Sequence, residues 1–482
     1  MCCAVSLVTS HHPHYFFRAV DNTSHLLVPS LSSSLLEKLG RTMPVKGRHR
    51  KTVIVHANSN VRRNPNIAKL QAGYLFPEIN RIKMKHLEEN PDAKIISLGI
   101  GDTTEPIPQP ITKAMAAAAD NLGTSDGYAT YGGYGAEQGM GDLRQRIAES
   151  CYANTNIKAD EVFVSDGAKC DIARLQIMFG SGVTSAVQDP SYPVYVDTSV
   201  MFGQTGEVDA NGQFNNLVYM KCPKENNFFP HLDEVPRADV YYFCSPNNPT
   251  GAVATKAQLE ELVARALKDG SILVFDAAYA PFIKTPGVPT SIFEIPGAEK
   301  CAIEVNSFSK YAGFTGARLG WTVVPDALEY SDGSKVRDDF NRVMTTCFNG
   351  ASNVIQSGGM ACLSPEGKKE IDSLIEYYLG NAKILQGLAG DLGLDYIGGD
   401  DSPYVFVDLK GHSSWDTFST ILEECQVVTI PGAGFGPGGE GFLRLSAFAP
   451  RDACIEACTR LRTAMAPTTY GLHCPGAPAP VL

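Results

Sequence analysis

Cys301-Ala302-Ile303-Glu304-Val305 runs into Ser307-Phe308-Ser309-Lys310, then Gly313-Phe314-Thr315-Gly316-Ala317-Arg318-Leu319-Gly320-Trp321-Thr322-Val323-Val324. A mostly apolar run of this kind reads as a strand buried on both faces. The loop after it sets one lysine beside two hydroxyls, with an arginine eight residues further on. These residue types suit a phosphorylated aldehyde. An amine that loses its proton near neutral pH attacks the carbonyl, while hydroxyls and a planar guanidinium hold the phosphate. An isolated Ser-x-Ser-Lys is more often a solvated surface loop, so the reading depends on the rest of the chain.

Outward from that loop, short apolar runs alternate with helical stretches from about residue 160. Val162-Phe163-Val164 precedes Asp166-Gly167-Ala168-Lys169 and a helix through Leu175. Ser185–Asp189 leads to Pro190-Ser191-Tyr192-Pro193, and Val240–Cys244 to Ser245-Pro246-Asn247-Asn248-Pro249-Thr250-Gly251. Ile272–Asp276 ends three residues before Tyr279. The pattern predicts an α/β fold: a large domain with a mostly parallel sheet flanked by helices, and ligands gathered at the strands' carboxyl ends. Helix-loop-strand text resumes after residue 365, with strands at Tyr404–Asp408 and Phe442–Ser446, and predicts a smaller α+β domain. Upstream, Leu70–Leu87 reads as a loop entering an amphipathic helix, Ile95–Gly101 as a strand ending in glycines, and Gly127–Gly141 as a glycine-tyrosine loop. The expected boundaries are a leader over 1–57, a segment over 58–120 contributing to the small domain, the large domain over 121–364, the small domain over 365–466 and an unfolded Pro/Gly/Ala tail over 467–482.

Composition bounds the alternatives. The chain has 482 residues, 44% hydrophobic and 19% charged, with net charge −11, which argues against a nucleic-acid or anionic-membrane partner. No apolar run approaches the length of a membrane span. The 13 cysteines are scattered with no C-x-x-C pair, which points to reduced thiols; Cys454 and Cys458, one helical turn apart, read as packing. Only His86, His231, His412 and His473 lie beyond the leader, and none has metal-ligand spacing. The Gly-Ala-Lys text at 167–169 lacks the spacing of a phosphate-binding P-loop. Residues 1–57 carry seven basic side chains against two acidic ones and are rich in serine, the composition of an organelle transit peptide. Composition does not separate a plastid from a mitochondrion as the destination, and a tail without targeting function, hence a cytoplasmic protein, is the alternative.

Several residues have their own chemical logic. Asp276 can pair with a protonated pyridine nitrogen, though a turn aspartate fits the same text. Asn248 and Tyr279 can reach a ring's phenolic oxygen, and Tyr192 can stack on its face. The Asp166–Lys169 turn opens a helix whose N-terminus favours phosphate. Arg444, a lone arginine ending an apolar strand, calls for an anionic partner, either a ligand or a salt bridge between domains.

The order Tyr, Asn-Pro-Thr-Gly, Asp-x-x-Tyr, Ser-x-Ser-Lys and Arg resembles the fold-type I pyridoxal-phosphate aminotransferases. Leu70–Phe76, Gly99-Ile100-Gly101-Asp102-Thr103-Thr104-Glu105-Pro106, Gly133-Tyr134-Gly135-Ala136-Glu137-Gln138-Gly139, Ser165–Lys169 and Cys347–Asn353 resemble, within them, the LL-diaminopimelate aminotransferases of the plant-type lysine pathway. That resemblance covers about residues 60 to 462. It implies a homodimer with shared active sites, taking amino acids and 2-oxo acids as substrates and pyridoxal 5'-phosphate as cofactor. Lys310 would be the catalytic amine. Asp276, Asn248, Tyr279 and Tyr192 would hold the cofactor ring. Ser307, Ser309, Arg318, Ala168 and Lys169 would hold its phosphate, joined by Tyr134 from the partner subunit, with Tyr131 as a second candidate for that place. Asn349 would also lie at the cofactor. For the substrate, Arg444 would clamp the α-carboxylate, with Tyr192 and Asn248 beside it. Tyr74, Gly101, Glu137, Lys169 and Asn349 would line the distal end. The alternatives on the same scaffold are an aspartate- or aromatic-type aminotransferase or a related lyase. A non-catalytic regulator would need a DNA-binding segment, and no such pattern is present.

Overall fold

The computed structural model describes residues 59–70, 75–99, 101–131, 133–464, 467–468 and 471–472. Residues 59–62 are an exposed segment in which the Val61 N–H donates to the Ser59 hydroxyl. The leader expected over 1–57 lies outside the described residues. The described residues from Arg63 onward form a unit of their own.

Strand β1 (Ile96–Ser97) belongs to the smaller region of that unit. It replaces the longer strand expected over Ile95–Gly101. The chain then forms β2 (Val162–Ser165), β3 (Ser185–Asp189), β4 (Leu217–Lys221), β5 (Val240–Cys244), β6 (Ile272–Asp276), β7 (Ala302–Ser307) and β8 (Gly320–Val323). These pair in the order β2-β8-β7-β6-β5-β3-β4, and only β8 runs against its neighbours. Successive side chains of a strand point to opposite faces, so a sheet covered on both sides needs apolar residues at every position. In β5, Tyr241 and Phe243 enter one core while Val240, Tyr242 and Cys244 enter the other. In β6, Leu273 and Phe275 enter the first core and Val274 the second.

Helices seal each face. Helix Lys256–Asp269 starts at a Thr255–Gln258 capping box and stops at Gly270, whose φ of 63° suits glycine far better than a residue with a side chain. Its Leu259, Leu262, Val263 and Ala266 recur at helical spacing and fill the first core. Helix Ala168–Phe179 puts Ile172 and Leu175 into the second.

The smaller region adds β9 (Tyr396–Gly398), β10 (Tyr404–Asp408), β11 (Val427–Val428), β12 (Ile430–Pro431) and β13 (Phe442–Ser446). Strands β12-β13-β10-β9 form an antiparallel sheet, and β1 pairs parallel with β11. The 27-residue helix Pro365–Asp391 belongs to both regions. Ile371, Leu374, Ile375 and Tyr378 pack on the large core, whereas Ala382, Leu385, Leu388 and Ala389 pack on the small one. The stretch over 58–120 is likewise shared: Leu75, Ile79 and Leu98 sit in the small core and Ile111 in the large one. Pro467–Thr468 and Gly471–Leu472 pair antiparallel, and the rest of 467–482 lies outside the described residues.

Two local expectations are corrected. Part of the glycine-tyrosine loop over 127–141 is helical, as Ser125–Tyr131. Arg444 stands in the middle of β13 rather than at its end.

Candidate active site

Because β2, β3, β5, β6 and β7 are mutually parallel, their carboxyl ends gather along one edge. Ser165, Asp189, Cys244, Asp276 and Ser307 all end strands there, and Gly320, the first residue of β8, pairs with both Ser165 and Ser307. A cavity of about 790 Å³ opens over this edge. Residues from distant points in the chain line it. Gly101, Ala168, Lys169, Tyr192, Asn248, Asp276, Tyr279, Ser307, Ser309, Lys310, Arg318 and Arg444 are the ones the sequence points to; Asp102, from the Gly99–Pro106 motif but with no role assigned, joins them, as do Tyr195 and Tyr404.

Lys310 follows β7 in a single helical turn, Phe308–Tyr311, capped by the Ser307 hydroxyl. Its amine donates to the Gly101 carbonyl. Burial brings the Lys310 pKa down to about 8; Arg444, Arg318 and Lys169 push the same way, and Asp102 opposes them. An ordinary lysine would be almost fully protonated at neutral pH, whereas this one releases its proton within reach of physiological pH.

Asp276 is buried at the end of β6. One oxygen accepts from the Tyr195 hydroxyl at 2.7 Å and the other from the Ala278 N–H at 3.0 Å. Burial raises its pKa, opposed by those two hydrogen bonds, and it has no salt-bridge partner among the described residues. A buried carboxyl without a cation fits a ligand that brings one, such as a protonated ring nitrogen. Tyr195 lies in the apolar stretch Val194–Val196, and nothing in its spacing shows that its hydroxyl reaches Asp276.

Three segments form an anion cup. The N-terminus of helix Ala168–Phe179, where the helix dipole is positive, lies at the cavity, which Ala168 and Lys169 line. Ser307 and Ser309 bring buried hydroxyls. Arg318 donates from Nη1 to the Thr315 carbonyl at 3.0 Å and lies 3.4 Å from Ser309 Oγ. Its φ of 64° is strained for a side-chain-bearing residue, a cost that tends to concentrate at functional sites. A Cβ at Gly167 would come within 2.6 Å of an Arg318 Nη atom, so the cup needs glycine there. The helix start is braced by Asp171, which accepts from Ser165, Thr322 and Arg174.

Arg444 is fully buried. Nη1 donates to Asn248 Oδ1 at 2.7 Å and Nη2 to the Gly99 carbonyl, while Nε has no partner. Rings of Tyr404 and Phe435 lie 4.4 Å and 4.9 Å from its guanidinium carbon. No ion pair involves Arg444 among the described residues, so the inter-domain salt bridge is not its role here. A buried guanidinium with an orphaned N–H and only neutral acceptors fits an incoming carboxylate. Tyr192 lines the cavity with Lys169 5.6 Å from its ring centre.

Not every candidate converges. Tyr134 is 81% exposed, Asn349 is exposed and Glu137 is half-buried, and none lines the cavity within one chain. The backbone next to Asn349 lies beside that of Ala136 and Glu137: a Cβ at Gly350 would come within 3.3 Å of the Ala136 carbonyl oxygen. Tyr74 and the side chain of Tyr131 lie outside the described residues.

The large sheet thus brings Lys310, Asp276 and Arg318 to a cavity that Arg444 of the smaller sheet also lines, an arrangement that fits aminotransferase chemistry. Residues 93–461 match the family model for aminotransferase class I and II, and the chain belongs to that family. It is 57% identical over 409 residues to the LL-diaminopimelate aminotransferase, chloroplastic, of Arabidopsis thaliana, covering 85% of this chain and 88% of that protein. With the LL-diaminopimelate aminotransferase of Protochlamydia amoebophila it shares 50% identity over 414 residues, 85% of this chain and all of that protein (100%). Among solved structures, L,L-diaminopimelate aminotransferase from Chlamydomonas reinhardtii matches with a TM-score of 0.81 and 59% identity, over 84% of this chain and 99% of that one. Aspartate aminotransferase from Thermus thermophilus shares the fold at a TM-score of 0.70 and 19% identity, over 84% of this chain and 99% of that one.

Proposed function

We propose that the protein is a pyridoxal 5'-phosphate enzyme that moves an amino group between LL-2,6-diaminopimelate and 2-oxoglutarate. Written toward the oxo product, LL-diaminopimelate and 2-oxoglutarate give tetrahydrodipicolinate, glutamate and water; the biosynthetic direction is the reverse, with glutamate as donor. The observation that carries the reaction class is the Lys310 amine, lowered to about pKa 8 in the same cavity as Asp276 and Arg444. The substrate rests on the names of the relatives, which are 50% to 59% identical over most of the chain.

When bound, the cofactor supplies a reactive aldehyde and a ring that accepts electrons. The chain's residues do the rest. Ser307, Ser309, Arg318 and the helix start at Ala168–Lys169 hold the phosphate. Asp276 would pair with the ring nitrogen and keep its proton in place. Asn248 and Tyr279 would donate to the phenolic oxygen, and Tyr192 would pack on the ring. Arg444 binds the substrate's α-carboxylate through Nε and its remaining Nη hydrogens, which fixes the α-carbon. Lys310 Nζ then takes the α-proton as general base.

Tyr134 and Asn349 are exposed and Glu137 is half-buried, all outside the cavity of their own chain, and a second copy would make them part of an active site. On this reading the enzyme is a homodimer. Glu137 pairs with the distal ammonium of the diamino acid, and Lys169, with Gly101, Tyr74 and Asn349, binds its distal carboxylate. A plastid location follows from the basic, serine-rich leader together with two plant relatives named chloroplastic.

A panel of amino donors tests the assignment. The expected result is transamination of LL-diaminopimelate with 2-oxoglutarate at least tenfold faster than of aspartate or phenylalanine. Equal or faster use of aspartate would reject the substrate and leave the reaction class standing.

A further inference from the structure

Two glycines from separate motifs stand against one tyrosine that belongs to neither motif. Tyr404 opens β10 and is buried. A Cβ at Gly101 would come within 2.5 Å of the Tyr404 hydroxyl, and one at Gly251 within 2.6 Å of the Tyr404 carbonyl oxygen. The glycine of the Asn-Pro-Thr-Gly turn and the glycine whose carbonyl receives the Lys310 amine therefore both make room for this residue. Any side chain at either position would push it away.

Its hydroxyl lies 2.7 Å from the Tyr279 hydroxyl. Each hydroxyl has a single hydrogen, so one donates and the other accepts. Burial raises both groups. After burial, the Arg444 guanidinium, 4.4 Å from the Tyr404 ring, acts most strongly on Tyr404, and it favours negative charge on that oxygen. Tyr279 feels Arg444 only after Tyr404 itself. A cation against the Tyr404 ring favours Tyr404 as the donor of the pair. The Tyr279 hydrogen is then released toward the cavity that both residues line.

We infer that Tyr404 is a positioning residue: its hydroxyl donates to Tyr279, turns the Tyr279 O–H toward the cofactor's phenolic oxygen, and makes it a stronger donor. The inference rests on the cofactor assignment under the proposed function. Hydrogen bonds in a chain polarise one another, so losing the outer one weakens the inner one. A weaker donor stabilises the negative form of the phenolic oxygen less, and the bound cofactor takes up its proton at higher pH.

The test compares holoenzymes of the unaltered protein, Tyr404→Phe, Tyr279→Phe and the double variant by pH titration of the cofactor's visible absorbance. Circular dichroism melts check folding. Phenylalanine keeps the ring against Arg444 and removes only the hydroxyl. The expected midpoint in Tyr404→Phe rises by about 0.5–1 pH unit. Tyr279→Phe should shift it further, and the double variant should match Tyr279→Phe alone, because Tyr404 acts through Tyr279. The amino donor's KM should change less than about twofold, since the Arg444 contact remains. An unchanged midpoint in Tyr404→Phe, or additive shifts in the double variant, overturns the inference. An unaltered protein that shows no titrating absorbance with pyridoxal phosphate overturns the cofactor assignment and this inference with it.

Discussion

At the scale of single residues, the chemistry depends on how burial changes two ionisable side chains. Lys310 loses its proton more easily because of its burial, with Arg444, Arg318 and Lys169 acting the same way and Asp102 against them. Asp276 holds its proton more tightly for the same reason of burial. A cationic ring nitrogen placed beside Asp276 restores its charged form, so the ligand and the acid stabilise each other. Lysine attacks only as the free amine, so the sign is fixed: cofactor capture by the apoenzyme should speed up as pH rises and level off above a midpoint near 8. Stopped-flow absorbance from pH 6 to 10 measures this. A rate still climbing steeply at pH 10 would place the amine in solvent. Much of this residue set is legible in the sequence, because Ser-x-Ser-Lys, Asp-x-x-Tyr and Asn-Pro-Thr-Gly each keep their members close together. Tyr195 and Tyr404 are not legible. Their partners, Asp276 and Tyr279, lie 81 and 125 residues away, and only the folded sheets bring them together.

At the scale of elements, the junction between β2 and helix Ala168–Phe179 is the critical piece. Gly167 has φ 124° and ψ 160°, a region essentially limited to glycine, and its missing side chain leaves the Arg318 guanidinium its place. Gly167→Ala therefore acts twice, straining the turn and displacing the arginine. The expected outcome is a loss of cofactor affinity of about tenfold or more, with stability lowered by about 1–3 kcal/mol. Equilibrium dialysis with pyridoxal phosphate and a thermal melt would show it; unchanged affinity would remove Arg318 from the phosphate site. The buried strands β5, β6 and β7 are legible because a doubly covered strand is mostly apolar, with polar residues such as Asp276 and Ser307 at its carboxyl end. Edge strand β4 is not, since its apolar run, Leu217 to Met220, is short and only partly buried. Helix Ser125–Tyr131 is hidden by its glycine and tyrosines, residues of modest or poor helix propensity.

At the scale of the whole molecule, one chain holds the lysine, the acid, the anion cup and the arginine, but leaves Tyr134, Glu137 and Asn349 outside the cavity. If a second copy completes the site, two defective chains can repair one another. Lys310→Ala supplies an intact Tyr134, and Tyr134→Ala supplies an intact Lys310. Equal mixing and reassembly should yield hybrids with one complete site each and restore about a quarter of the unaltered activity. Activity no higher than either parent would mean that each chain's site is built without the other. The two-domain division is legible in the return of helix-strand text after residue 365. The sharing of helix Pro365–Asp391 between both cores is not, because its apolar spacing is the same over both halves.

The central claim is that the Lys310 amine meets a pyridoxal aldehyde in this cavity. Borohydride reduction of the holoenzyme, followed by proteolysis and peptide mass mapping, tests it directly. The account predicts one pyridoxyl-modified peptide, containing Lys310. A label on any other lysine, or none on enzyme that has retained its cofactor, would contradict it.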